Sequence, residues 1–190
     1  MGPRRRPHRA GAVRRHRPGR GRTHRLPPAR HPKAWAVRGD LRQPDSYLPQ
    51  LAEHLDLGEP VAVLATAVLD HLPDDAQATA ILGRIAGELV DGSYLALTHV
   101  APETTPGRRD QQNDALRLYE RTPTPITPRT TNQITAVLGA SWTPLPPGVT
   151  NPDRWLPEPD DDGPLCPPSL LATIARRTPH PYTGGQTPAD

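Results

Sequence analysis

The 190-residue chain has no phenylalanine, one cysteine and one methionine, and no Asp or Glu stands before Asp40. Each scarcity excludes something. With Cys166 alone, the chain can form neither an intramolecular disulfide nor a thiolate metal cluster, and this cysteine reads as a spectator thiol. No apolar run approaches the roughly 20 residues needed to cross a bilayer, and the Arg-rich start is followed by no apolar core of the kind a secretory signal requires. A cytoplasmic location and no membrane partner are therefore expected.

The missing acids mark a change of character near residue 34. Residues 1–34 hold twelve Lys or Arg and four His, whereas residues 35–190 hold eleven Lys or Arg against twenty Asp or Glu. An overall pI near 9.5 describes neither part. The expected organisation is a basic Arg/Pro-rich disordered tail over 1–34, one domain over 35–180 and a second disordered tail over 181–190. A domain of about 150 residues buries roughly two thirds of its unfolded surface.

Regular structure is expected to be densest between residues 35 and 100, because the 27 prolines crowd into the tail and the stretch from Pro102 onward. Ala34–Arg38 suits a brief strand ending at Gly39 and Asp40. Leu48, Leu51 and Leu55 then recur at helical spacing. Val61–Leu69 (VAVLATAVL) is uncharged and does not alternate, so a strand here is expected to be buried on both faces, as in a parallel sheet covered by helices. Pro73, Asp74 and Asp75 open a helix whose apolar stripe is Ile81, Leu82, Ile85 and Leu89. Ser93–Val100 is a second apolar strand, so the middle of the chain reads strand, helix, strand. Beyond it, helices are expected over 110–121 and 129–138, with Thr130 or Thr131 as cap, and strands at SWTPLP and over 169–177. The acidic run at 158–163 (EPDDDG) lacks the spaced oxygen ligands of a calcium loop and reads as a solvated loop, so no metal is expected.

The blocks GDLRQP at 39–44, EPVAVLATAVLDHLPDD at 59–75, GSYLALTHV at 92–100 and RTPTPITPRTTNQITAVLG at 121–139, with the PLPPGV and W that follow, resemble the actinobacterial S-adenosyl-L-methionine-dependent methyltransferases first grouped as a domain of unknown function. The resemblance covers roughly residues 35–177 in order, and its specificity lies in the succession of blocks. It implies an α/β fold: part of a doubly wound, Rossmann-like class I methyltransferase sheet with helices on both faces. It also implies S-adenosyl-L-methionine as cofactor, lying across the carboxyl ends of the strands, and transfer of a methyl group to an unknown acceptor. Carried over position by position, Asp40 would accept from the adenine amino group with the Leu41 amide beside it, and Thr66, Ala67, Val68 and Leu69 would border the methionine part. Where family members tend to have His and then an aromatic residue, this chain has Asp70 and His71, which leaves His71 as the candidate general base.

Two family features are missing from the sequence: the Gly-rich turn after the first strand and the acidic residue that holds the ribose hydroxyls after the second. PGRGR at 18–22 follows no apolar strand. A stretch rich in Arg, Pro, Gly and His without acids is what out-of-frame translation of a GC-rich gene yields. Shifting the codons of VRRHRPG at 13–19 by one base permits Tyr-Val-Asp-Ile-Asp-Pro-Val, a second strand with terminal acids. Three readings follow: a methyltransferase with an incomplete cofactor site, an inactive remnant of one, and, least favoured, a nucleic-acid-binding protein whose basic tail neutralises phosphates without aromatic side chains to stack on bases. Sequencing the coding DNA upstream of the Trp35 codon is expected to show, in another frame, a Gly-rich turn and an acidic second strand. An uninterrupted single frame without those blocks would overturn the frameshift.

Overall fold

The computed structural model describes residues 10–14, 34–155 and 166–179. Strand β1 (Ala10–Arg14) pairs in parallel with β2 (Ala34–Arg38), from Ala10 opposite Ala34 to Arg14 opposite Arg38. Residues 10–14 thus form a strand inside the segment the sequence reads as a disordered tail; the rest of that tail, the acidic run at 158–163 and the tail at 181–190 lie outside the described residues. After β2, Gly39 passes so close to α1 (Pro44–Ala52) that a Cβ there would stand 2.8 Å from Tyr47 Cβ, so only glycine fits. Pro44 occupies the first turn of α1, where its missing N–H costs nothing. Tyr47 and Leu48 bury against Val37 and the flank of Ile85, and Trp35 stacks on His54 with ring centroids 5.2 Å apart.

The second sheet has four strands in the order β3 (Ala62–Thr66), β4 (Tyr94–Val100), β6 (Leu170–Arg177), β5 (Trp142–Pro144). β3 and β4 are parallel and are joined by α2 (Asp75–Gly87), as the strand–helix–strand reading expects. β6 returns antiparallel between β4 and β5. Asp74 caps α2 by accepting from the amides of Ala76 and Gln77, and Thr130 and Gln133 form a reciprocal capping box at the start of α4 (Thr131–Leu138). Helix α3 (Arg108–Glu120) buries none of its side chains.

The core is one-sided. Val63, Ala65, Leu95, Leu97, Leu171 and Ala175 turn toward Ala78, Ile81 and Leu82 of α2 and toward Ile134, Val137 and Leu138 of α4. Each of these leucines and isoleucines contributes about 1.5–3 kcal/mol by leaving water. Trp142, almost fully buried, locks β5 to this layer by donating its indole Nε1–H to the Leu82 carbonyl at 3.1 Å. β3 departs from the expected burial on both faces: Ala62, Leu64 and Thr66 are exposed, with Leu64 70 % accessible. It is also shorter than its apolar run, because Ala67 takes a left-handed conformation (φ 48°) and ends the strand.

The Tyr47 hydroxyl is buried without a hydrogen-bond partner. Burial, and then the negative charges of Asp40 and Asp45, push its pKa from 10.0 to about 12. The folded state therefore holds this proton more tightly than the unfolded chain, so its contribution to stability is full below pH 10 and is lost as pH rises through about 12. Tyr47→Phe is expected to leave urea stability at pH 7 unchanged or slightly higher, since it removes an unpaired buried hydroxyl, and to flatten part of the alkaline fall. A clear loss at pH 7 would show that the hydroxyl is paired in solution.

Candidate functional site

The residues that the sequence singled out follow the carboxyl ends of two strands, Asp40 after β2 and Thr66–Leu69 at and beyond the end of β3. Asp40 stands two residues beyond β2, and its carboxylate is gripped by Arg42: Oδ1 accepts from the Arg42 amide and Nε at 3.0 Å each, and Oδ2 from Nη2 at 2.6 Å. This contact, first as a hydrogen bond and then through charge, raises the Arg42 pKa. It also fixes the carboxylate at the mouth of the turn. Leu41 leans on the main core.

At the end of β3, Thr66 and Ala67 are exposed and Val68 is half-buried. The Ala67 amide donates to the Thr98 carbonyl and hydroxyl of β4 at 3.2 and 3.1 Å. A non-glycine residue held at positive φ costs on the order of 1 kcal/mol or more. The turn is therefore held by its surroundings, with Thr66 and Ala67 exposed at the strand end. Leu69 lies elsewhere: its side chain is 1 % exposed, packed in the core, and its carbonyl accepts from Arg129. The side chain of Leu69 presents no surface to a ligand.

His71 follows in a short 3-10 turn (Leu69–His71). Its Nδ1 lies 3.1 Å from the Thr124 carbonyl and 3.0 Å from that of Pro125. Both partners can only accept, so Nδ1 carries a proton, and in the neutral ring the lone pair lies on Nε2. That is the tautomer a general base requires.

Beneath this rim runs a buried polar chain that sequence reading missed. Asp70 Oδ1 accepts from the Val100 amide at 3.0 Å and lies 2.8 Å from His99 Nδ1. His99 Nε2 accepts from Arg129 Nη1 at 2.9 Å. Arg129 also donates to the Leu69 carbonyl at 3.0 Å, to that of Leu72, and through Nε to Asp75 Oδ1 at 2.7 Å. Asp70, His99 and Arg129 are all 5 % exposed or less. The linker around Arg129 is tied to the same strand ends through Thr127 N to Asp70 O and Arg129 N to Val100 O. Arg129 belongs to the ITPRT block, but nothing in a lone Arg after a proline signals burial; only the closure of the 124–129 linker over β3 and β4 does.

Beyond β4 a cavity of about 590 Å³ opens between Glu103, Arg108, Gln112, Cys166 and Ser169. The Thr105 and Thr104 amides bond the Glu103 carboxylate and hold its pKa below the usual range. Gln112 ties α3 to the end of β4 through the Ala101 carbonyl and the Glu103 amide. Burial, and then Asp153, push the Cys166 thiol upward. No group of three His, Cys, Asp or Glu residues among those described could hold a metal ion, and no described helix is long and apolar enough to cross a membrane.

A mixed sheet flanked by helices, with these turns at its strand ends, defines a Rossmann-like methyltransferase fold. The sequence profile of the S-adenosyl methyltransferase family matches residues 28–178, and the chain belongs to that family. A DUF574 family protein from Streptomyces avermitilis superposes with a TM-score of 0.66 at 25% identity, over 77% of this chain and 56% of its own. A Thermobifida fusca structure described as a methyltransferase gives 0.64 at 25% identity, over 80% and 56%. The fold also matches, at 13% identity and a TM-score of 0.52, a variant of LepI solved with SAH and a substrate analogue. No curated protein matches the chain. The chain thus spans just over half the length of its two actinobacterial relatives.

Arg129→Ala is expected to lower unfolding free energy by about 3–5 kcal/mol in chemical denaturation, because it removes the buried cation next to the His99–Asp70 pair and takes this donor from the Leu72 carbonyl and from His99 Nε2. Asp75→Asn, at the half-exposed end of the same chain, should cost far less. Equal losses would place the stability elsewhere.

Proposed function

We propose that this chain is the C-terminal portion of an S-adenosyl-L-methionine-dependent methyltransferase domain, occupying residues 35–180, and that it carries the adenine and methionine sides of the cofactor site. The observation that carries this reading is the family match over 28–178 together with the turn at Thr66–Val68, exposed at Thr66 and Ala67, that ends β3. The Asp40 carboxylate, steadied by Arg42, would take the adenine amino group, with the Leu41 amide beside it. Thr66, Ala67 and Val68 would border the methionine part. The residues present fit these two ends and fail to fit the third: β1 ends on Arg14, and no carboxylate precedes Asp40 to hold the ribose hydroxyls.

When bound, S-adenosyl-L-methionine supplies an electrophilic methyl group, so the protein's task is orientation and exclusion of water. His71 Nε2 is set to take the proton of an acceptor hydroxyl or amine as the new bond forms. The linker over 124–129 is tied beside the strand ends at the Asp70 and Val100 carbonyls.

The absence of a ribose carboxylate also favours a second reading, in which the chain alone binds cofactor too weakly to turn over. Isothermal titration of the full chain with S-adenosyl-L-homocysteine separates the two. The first reading expects measurable binding that Asp40→Ala weakens about tenfold, or about 1.4 kcal/mol. His71→Gln should leave that binding unchanged while lowering methyl transfer about a hundredfold. Binding that ignores Asp40→Ala would remove the adenine assignment.

A further inference from the structure

The turn that carries His71 is gripped on both sides by one short segment. Arg129 donates to the Leu69 carbonyl through Nη1 at 3.0 Å and to the Leu72 carbonyl through Nη2, and the Thr127 amide donates to the Asp70 carbonyl at 2.7 Å. The carbonyls of Leu69, Asp70 and Leu72, which flank His71, thus all accept from Thr127 or Arg129. Beneath the turn, the Asp70 carboxylate meets the Val100 amide and His99 Nδ1, and His99 Nε2 accepts from Arg129 in turn. Arg129 is itself moored to β4, because its amide donates to the Val100 carbonyl at 3.0 Å. His71 reaches back to the same segment, with Nδ1 3.1 Å from the Thr124 carbonyl and 3.0 Å from that of Pro125.

The stretch between the clamp and the imidazole is stiff by composition. Residues 122–128 read TPTPITP. Proline fixes φ at 123, 125 and 128, and Thr122, Thr124 and Thr127, each standing before a proline, are confined to extended backbone. A chain so restricted has little slack over the two to five residues that separate Thr127 and Arg129 from the carbonyls facing His71. Fixing its far end therefore fixes those carbonyls.

We propose that Thr127 and Arg129 are positioning residues for His71. Neither bonds the imidazole; they act through the proline-braced linker, which presents the Thr124 and Pro125 carbonyls where the ring must keep a proton on Nδ1. Which ring nitrogen keeps the proton is set by the hydrogen bond it makes. His99 belongs to the same device, since its Nε2 is one of the acceptors that hold the Arg129 fork in place. The functional weight of this arrangement rests on His71 as the general base, whereas the state of the ring is measurable without any methyl transfer.

Long-range proton–nitrogen NMR of the full chain, at about pH 8 where an ordinary imidazole is neutral, assigns the tautomer of each histidine. His71 is expected to show Nδ1–H as its major form. Arg129→Lys removes the planar fork that spans the Leu69 and Leu72 carbonyls. Pro125→Gly loosens the linker and touches none of the Asp70, His99 and Arg129 side chains. In each variant the Nδ1–H form should give way to a mixture of the two tautomers. The Trp142 indole N–H, bonded to the Leu82 carbonyl within the core, should keep its shift and so report an intact fold. If one variant loses that signal, the other decides. Nε2–H as the major form in the unaltered chain, or Nδ1–H kept as the major form in either folded variant, would overturn the proposal.

Discussion

The guanidinium of Arg129 holds the strand ends together. It reaches β4 through His99, the β3–α2 turn through the carbonyls of Leu69 and Leu72, and the first turn of α2 through Asp75. A buried cation is costly unless each of its donors is met, and here the acceptors are two backbone carbonyls, an imidazole and a carboxylate. Asp70, which pairs with His99, adds the compensating charge. Because the same linker sets the His71 tautomer through Thr124 and Pro125, the buried chain and the exposed rim are one construction. His71 has a defined lone pair because the linker is nailed down by Arg129 a few residues on.

The second constraint is that the described strands fall into two separate sheets. β3 supplies the turn at Thr66–Val68, and β2, in the other sheet, supplies Asp40. Their relative placement rests on α1, which touches both β2 and α2. Among the described residues the two sheets are linked by side-chain packing around Tyr47, Leu48 and Ile85, with no shared ladder. That is a softer linkage than a ladder.

Much of the domain was legible in the sequence. The strands over 34–38 and 94–100, helix α2 with its Asp74 cap, and the Thr130 cap of α4 all follow from local signals: apolar runs, acids at a helix start, a hydroxyl before the last helix. Local rules failed where burial depends on what lies across the sheet. The run Val61–Leu69 reads as a strand covered on both sides, yet Leu64 faces water while Leu69 turns inward beyond a left-handed Ala67. Strand β1 was illegible because a short Ala-Gly-Ala-Val segment among arginines becomes a strand only by pairing with β2.

The sequence by itself determined the family, the order of the elements and the place of Asp40 and of the 66–71 turn, because these rest on residues close together in the chain. Tertiary structure alone decided that Asp70, His99 and Arg129 form a buried chain, that His71 Nδ1 faces two carbonyls, and that Leu64 and Ile174 stand exposed on the face opposite the core. Those facts depend on partners about 30 to 60 residues apart, and the energy of a buried charge or an exposed apolar row is set by what surrounds it in space.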